Sequence, residues 1–464
     1  TYVYIERAFG PLFGTIAGIG LWLSLLLKSA FSLVGLSAYL YVVVNIDEAY
    51  TKAIALLALL LIFLLNVFGL KKVEKTQLFI VSTSIISLIV IIALGLTSFD
   101  TKLTEPVFSD GTNGFIAGVA FLYISYAGVT KIAAIAGEIT NPSKNLPLTM
   151  IISLFLITTI YCLVALALVG NVEASILATD IKPIHTLFQT IGGDTFGLIA
   201  GVVGALTLLS MANSGVLASS RFPFAMSKDG LLPSYLAGIN SKFMTPVSAI
   251  LTTSTLIALA IIFLDVVKIA KLASAFKVLM FIFNELTVIV LRETNAQWYK
   301  PTFKSPMYPY VQIFGILSGI VLLAFLGVMP VVSVIGVVIL GFLIFLVYGS
   351  KSDRSGVASS YGILSFFRKE ASKIREYSEE TDNTEDPITT KAEVVVPLLG
   401  EETSPETLVE MAAALKSTNE VQAFDITEVP NQTDSSVFME DSPESTSLKR
   451  RIKRLSDSKD LNVG

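Results

Sequence analysis

From its first residue to about residue 349 the chain alternates long apolar runs with short polar connections, and beyond that point its character changes. The runs lie at about residues 11–44, 52–70, 77–98, 115–137, 148–169, 196–218, 246–264, 271–291, 310–329 and 331–348. Each is near or above the roughly 18–20 residues that a helix needs to cross bilayer hydrocarbon, so the pattern predicts ten membrane spans. An ideal helix over the first run would reach roughly 50 Å, which calls for a steep tilt or for turns outside the hydrocarbon. Residues 350–391 are different. There Ile363, Leu364, Phe366, Phe367, Ile374 and Tyr377 interleave with Arg368, Lys369 and Lys373, the pattern of a short helix lying on a membrane surface or of a plain helical spacer, and an acidic linker follows at 379–386. From residue 392 the periodicity is that of an α/β unit. An apolar strand at 392–398 leads to a helix capped by Ser404, with Pro405 at its first position, that runs to Leu415, and a second strand falls at 421–429. The expected fold class is an all-α multi-spanning membrane protein over 1–349, with a small partial α/β domain over 392–464.

Composition agrees and narrows the function classes. Hydrophobic residues make up 53% of the 464, which is usual for a membrane protein with a polar appendage. The net charge of −4 averages two unlike regions, and no basic element of the kind that reads nucleic acid is present. A single cysteine, Cys162, excludes a disulfide framework or a cysteine metal site within the chain. No phosphate loop or nucleophile elbow occurs. The one histidine, His185, falls in a connection expected to be an outer surface loop, so the sequence argues against enzyme catalysis. Lysine and arginine concentrate in alternate connections (Lys71, Lys72, Lys144, Lys242 and Lys300 among them), which places those connections and the tail in the cytoplasm.

Within the spans a few residues are out of keeping with lipid. The fourth run carries Ser125, Tyr126, Ala127 and Gly128 at its centre, where glycine lowers the cost of a helix break. Unpaired backbone survives in a membrane only when it is buried in protein or faces a water-filled cavity, so these four are the candidate substrate site at the bilayer midplane. An unbroken helix that uses Gly118 and Gly128 for close packing is the alternative. Lys28 stands mid-span, too far from either surface to snorkel, and is a candidate for a titrating internal cation or for a tie to broken-helix carbonyls. Ser210, Asn213 and Ser214 share one helical face. Their oxygens suit a hard cation such as sodium, and hydrogen bonding between helices would use them equally well. Arg221, Lys228 and Asp229 are expected in a cytoplasmic loop, as an inner gate or as solvated charge.

Two longer stretches carry a resemblance. GFIAGVAFLYISYAGVTKIAAIAGEITNPSKNLP at 114–147 is similar to the sixth helix and following loop of the amino acid-polyamine-organocation (APC) transporters. SMANSGVLASSRFPFAMSKDGLLP at 210–233 resembles that family's eighth helix, and the likeness extends over 1–349. It implies a leucine-transporter-like bundle of inverted five-helix repeats, lacking its first two helices because residues 1–11 resemble the segment before the third. It further implies a secondary transporter of amino acids at the plasma membrane, working by alternating access and coupled to H+ or Na+ without a cofactor. Ser84 matches the place where some proton-coupled members carry a lysine, and near Thr130 the chain lacks the glutamate of many relatives. The tail resembles the first half of a universal stress protein domain, although Leu399 replaces an aspartate found beside the nucleotide in that family. A membrane sensor that binds an amino acid and signals through the tail is the rival expectation.

Overall fold

The computed structural model describes residues 2–44, 50–68, 74–105, 111–123, 125–126, 128, 139–294, 299, 301, 303–349, 356, 394–398, 407–409, 411–412, 420–425, 452 and 462–463. The chain divides into two compact units, the first made of residues 1–6, 11–289 and 302–352 and the second of 7–10, 290–301 and 353–464. The helices are α1 (Tyr2–Phe9), α2 (Pro11–Val44), α3 (Thr51–Phe68), α4 (Glu74–Thr97), α5 (Gly111–Leu122) and α6 (Pro142–Val169). They continue with α7 (Ala174–Leu177), α8 (Pro183–Lys228), α9 (Val247–Phe263), α10 (Val266–Glu293), α11 (Tyr310–Phe325) and α12 (Val328–Val347). Among the described residues seven helices are long and apolar enough to cross a membrane, and α5, α9 and α11 are shorter apolar helices. Together these ten match the ten expected runs. Two differ in extent: in the run expected at 115–137 α5 ends at Leu122 and the described residues 123, 125, 126 and 128 are in turns, and the one at 196–218 lies inside the longer α8.

α2 and α8 form the antiparallel centre of the first unit. Small residues let them close up: a Cβ at Gly215 would overlap the Ser29 hydroxyl, and one at Gly204 would overlap the Tyr39 ring. Association of apolar helices in a membrane rests on such close packing, because lipid tails leave no hydrophobic gain to be had. Most of α2 is buried, including the polar Thr15, Ser24, Ser29, Ser32 and Ser37. Those hydroxyls are satisfied without water. Ser29 donates to the Leu25 carbonyl at 3.1 Å and Ser32 to that of Lys28 at 2.9 Å, while Ser24 donates to Ala273 of α10 at 3.1 Å. The Trp22 indole donates to Thr253 of α9 at 3.1 Å. By contrast α4 and α6 expose most of their apolar side chains, Phe79 at 72% and Phe155 at 76%, as expected of faces turned to lipid.

α8 bends near its start, where Gly193 adopts φ 73° and ψ −169°. The turn before the bend carries Leu187 and Phe188 into a cluster with Ile91, Ala167, Val172 and Ala200. It also corrects the expectation for His185, which is helical and 4% exposed rather than a surface loop residue. Its imidazole lies beside Gly197, where a Cβ would come within 3.1 Å of Nε2. A helix restarted at Pro183 and folded back at Gly193 was not readable as apolar periodicity.

In the second unit β1 (Val394–Leu398), β2 (Glu420–Asp425) and β3 (Asn462–Val463) form a parallel sheet in the order β1-β2-β3. Val394 pairs with Val421 and Leu398 with Asp425. Residues 407–409 and 411–412, between the first two strands, are helical. Parallel neighbours require such a crossover, and both expected strands fall where the alternation placed them. The surface helix expected around Phe366, the acidic linker and Leu399 lie outside the described residues.

Candidate functional site

The end of α5 is where the backbone changes its bonding. Past Leu122 the amide of Ser125 bonds the Leu122 carbonyl at 2.9 Å, and that of Tyr126 bonds Tyr123 at 3.3 Å. These three-residue closures tighten the chain into turns and leave carbonyls near the helix end in need of other donors. One of them is served from outside: Ser274 of α10 donates to the Phe121 carbonyl at 3.0 Å. Among the described residues the helix thus ends at Leu122, and Tyr123, Ser125, Tyr126 and Gly128 are in turns that begin two residues before the Ser125–Gly128 stretch. Ser125 and Tyr126 are half-buried. The Tyr126 ring stands edge-on to Tyr161 of α6 at 5.6 Å. Among the described residues a Cβ on Gly128 would meet nothing within 4 Å. Ala127, Thr130 and Lys131 lie outside the described residues.

Against this end α10 presents a face that sequence reasoning missed. Lys277 is 5% exposed, and its ammonium lies 5.0 Å from the centroid of the Phe281 ring. Phe281 in turn packs edge-on to Tyr123 at 5.7 Å. Glu285, one turn further, is half-buried and lies against α11, where a Cβ on Gly315 would come within 3.3 Å of its Cγ. A charge at the centre of a membrane helix costs about 2.5–3.5 kcal/mol even on lenient scales. The signal was in the sequence: LASAFKVLMFIFNEL holds two charges inside an apolar run, as the run around Lys28 holds one.

The candidate ion residues separate into two groups. Asn213 accepts from the Asn66 amide of α3 at 2.9 Å, and Asn66 also donates to the Ile62 carbonyl at 2.8 Å. One lone pair of Asn213 thus joins two helices. Ser214 donates back to Met211 at 3.1 Å. Ser84 of α4 shares a 2.5 Å hydrogen bond with Thr207 of α8, and Thr207, Ser210 and Ser214 at i, i+3 and i+7 line one face of α8. Neither Asn66 nor Thr207 was singled out from sequence. Lys28 is half-buried on α2, one turn beyond Ser24. Among the described residues no cluster of His, Cys, Asp or Glu could hold a metal ion.

Arg221 and Lys228 belong to α8 rather than to a loop, and Asp229 ends that helix. Asp229 accepts from the Tyr2 hydroxyl at 2.6 Å, and Lys228 lies over the Phe224 ring at 4.6 Å. A groove of about 460 Å³ opens at the first turns of α6, lined by Ser143, Lys144, Pro147, Leu148, Ile151 and Phe303. It shares no residue with the α5 end. The interrupted backbone and the internal charges mark that end, and not the groove, as the candidate site.

These features define a multi-pass helical membrane protein with polar and charged groups near the end of α5. Residues 1–362 match the family model described as amino acid permease, and the chain belongs to that family, within the APC superfamily. It is similar to the cationic amino acid transporter 4, vacuolar, of Arabidopsis thaliana, 30% identical over 247 residues that make up 51% of this chain and 40% of the plant protein. It is 27% identical to the branched-chain amino acid permease BcaP of Lactococcus lactis, with 76% of this chain and 81% of BcaP covered. The serine/threonine exchanger SteT of Bacillus subtilis is also 27% identical, with 68% and 73% covered. The match spans 40% of the cationic amino acid transporter 4 and 31% of the cationic amino acid transporter 3 of Arabidopsis thaliana, less than half the length of either. Family and relatives are permeases rather than enzymes.

Proposed function

We propose that the protein is a secondary active transporter of amino acids, working by alternating access around the interruption at Tyr123–Gly128. The observation that carries this reading is the change from helix to turns at Leu122, inside an apolar run and against the buried Lys277 face of α10. A solute's ammonium and carboxylate groups can replace water at turn amides and carbonyls there, as broken helices do in transporters. Ser125, Tyr126, Ala127 and Gly128 form the substrate contacts. Lys28, Ser84, Ser210, Asn213 and Ser214 are the coupling or ion-site candidates. Tyr126 supplies a ring for the apolar part of a side chain and a hydroxyl for a polar partner. The inverted repeat, the plasma-membrane location and a cytoplasmic tail belong to the same reading, supported by the family match and by the distribution of lysine and arginine. The parallel β1-β2-β3 sheet supports a universal stress protein-like regulatory tail.

The test is accumulation of labelled amino acids by the purified protein in proteoliposomes, across a panel of cationic, branched-chain and hydroxylated substrates. Saturable uptake of at least one class, lost on heat denaturation, is expected. Binding of an amino acid without uptake or exchange would instead establish a sensor.

A further inference from the structure

Lys277, Phe281 and Glu285 recur at four-residue intervals and form one stripe along α10. Tyr123, the first residue past α5, meets that stripe at its middle. Its ring packs on Phe281 at 5.7 Å, one turn from Glu285 on the same face. The Lys277 ammonium approaches the same Phe281 ring at 5.0 Å. A cation, a carboxylate and two rings therefore converge where the α5 helix gives way to turns.

Other ionisable groups around α10 are few. α2 packs on it through Gly20 against Met280 and Phe13 against Phe283, and carries Lys28, Tyr39 and Tyr41. Glu6 of α1 rests on Gly14 of α2. α5 itself has no ionisable side chain, and among the described residues just past its end Tyr123 and Tyr126 are ionisable. α11, which meets α10 through Gly315 and Gly319, has only Tyr310 at its first position. Among the described residues α2, α5 and α11 carry no carboxylate, so on these packed faces Glu285 is the acidic group.

We propose that Glu285 carries the coupling proton of the transport cycle, with Lys277 and Tyr123 setting the field it works in. The inference rests on the transport reading above and names its driving ion as the proton. When the site faces outward, one proton from the outer solution adds to the Glu285 carboxylate and forms a neutral carboxyl. After the bundle rearranges, that proton leaves to the inner solution and the carboxylate is restored. The carboxyl form removes a charge from the low-dielectric face just when the α5 end must close over its solute. Sodium fits less well, because a hard cation takes six or so oxygen ligands, and the described contact of Glu285 is with Gly315, which has no side-chain oxygen to offer.

The experiment uses proteoliposomes with a pH-sensitive dye trapped inside and the full-length protein. Addition of a transported amino acid outside should acidify the lumen in wild type, and an inward proton gradient should raise accumulation at least tenfold. Glu285→Gln should keep counterflow exchange of labelled for unlabelled substrate while losing both acidification and gradient-driven accumulation. Substrate entry into wild-type vesicles without acidification would overturn the proposal, and so would acidification by Glu285→Gln at the wild-type rate. If Glu285→Gln does not fold, the wild-type dye measurement decides by itself, and Lys277→Met should displace the midpoint of the pH dependence of uptake. An unmoved midpoint in that variant would remove Lys277 from the proposal. A wild type that binds substrate but shows neither uptake nor counterflow would bring down the transport reading instead, so the two failures are told apart.

Discussion

The α2–α8 pair and the end of α5 use the same residue type to opposite effect. At Gly215 and Gly204 a neighbouring helix occupies the place a side chain would take, so glycine serves contact. At Gly128 a Cβ would meet no described atom within 4 Å, and the backbone just before it has left the helix. Polar groups divide in the same way. The serines of α2 are closed off by hydrogen bonds to the preceding turn or to α10. Tyr123, Ser125 and Tyr126 instead sit in turns, Tyr123 against the Phe281 ring that the buried Lys277 also approaches. A membrane bundle needs both: a pair of helices that does not move, and a place where backbone can face a solute.

The largest effect should come from filling the tight pair. Gly215→Leu would drive a branched side chain into Ser29 of α2, in the most buried contact of the first unit, where overpacking costs about 1–3 kcal/mol or more. The expected outcome is loss of a monodisperse peak in detergent size-exclusion chromatography. A wild-type elution profile would show that the pair is looser than its contacts indicate. Gly128→Leu should do the reverse, leaving elution and thermal stability near wild type and lowering amino acid uptake at least a hundredfold. Retained uptake would remove Gly128 from the substrate site.

This contrast was only half visible in the amino-acid order. All ten apolar runs were legible, because hydropathy reports the solvent a helix must satisfy, and Ser-Tyr-Ala-Gly stands out in the fourth run, where the described residues past Leu122 are in turns. What could not be read was which glycine has a neighbour, since that depends on which helices meet. The pairing of Asn66 with Asn213 and of Ser84 with Thr207 was hidden for the same reason: each half lies in a different span. His185 was misplaced because the bend at Gly193 buries a polar turn that hydropathy counts as loop.

A smaller effect tests whether the polar contacts of the still region are structural. Asn66→Ala and Asn213→Ala should each lower thermal stability modestly. In a double-mutant cycle their coupling should be about 0.6 kcal/mol, the usual size for a hydrogen bond between membrane helices. Uptake with sodium replaced by choline checks the other role. If Asn213→Ala alters sodium dependence while the Asn66 variant does not, Asn213 ligates an ion as well as joining helices.

The smallest effect belongs to the exposed charges at the start of α10, and it isolates what burial does for the internal ones. Asp265 and Lys268 form a 2.8 Å ion pair in solvent, with both side chains more than half exposed. The hydrogen bond and charge of Lys268 hold the Asp265 carboxyl below its ordinary range. A carboxylate lowered on folding stabilises the protein above its unfolded pKa, and that contribution is lost as pH falls through the lowered folded value. Asp265→Asn should therefore melt slightly earlier than wild type near pH 7, and the difference should vanish in acid. Because water screens the pair, the shift should be close to the limit of measurement, and the pH profile of uptake should not move. A displaced uptake profile in Asp265→Asn would mean that charge anywhere on α10 tunes the cycle, and the distinction between the buried stripe and the exposed end of the same helix would fall.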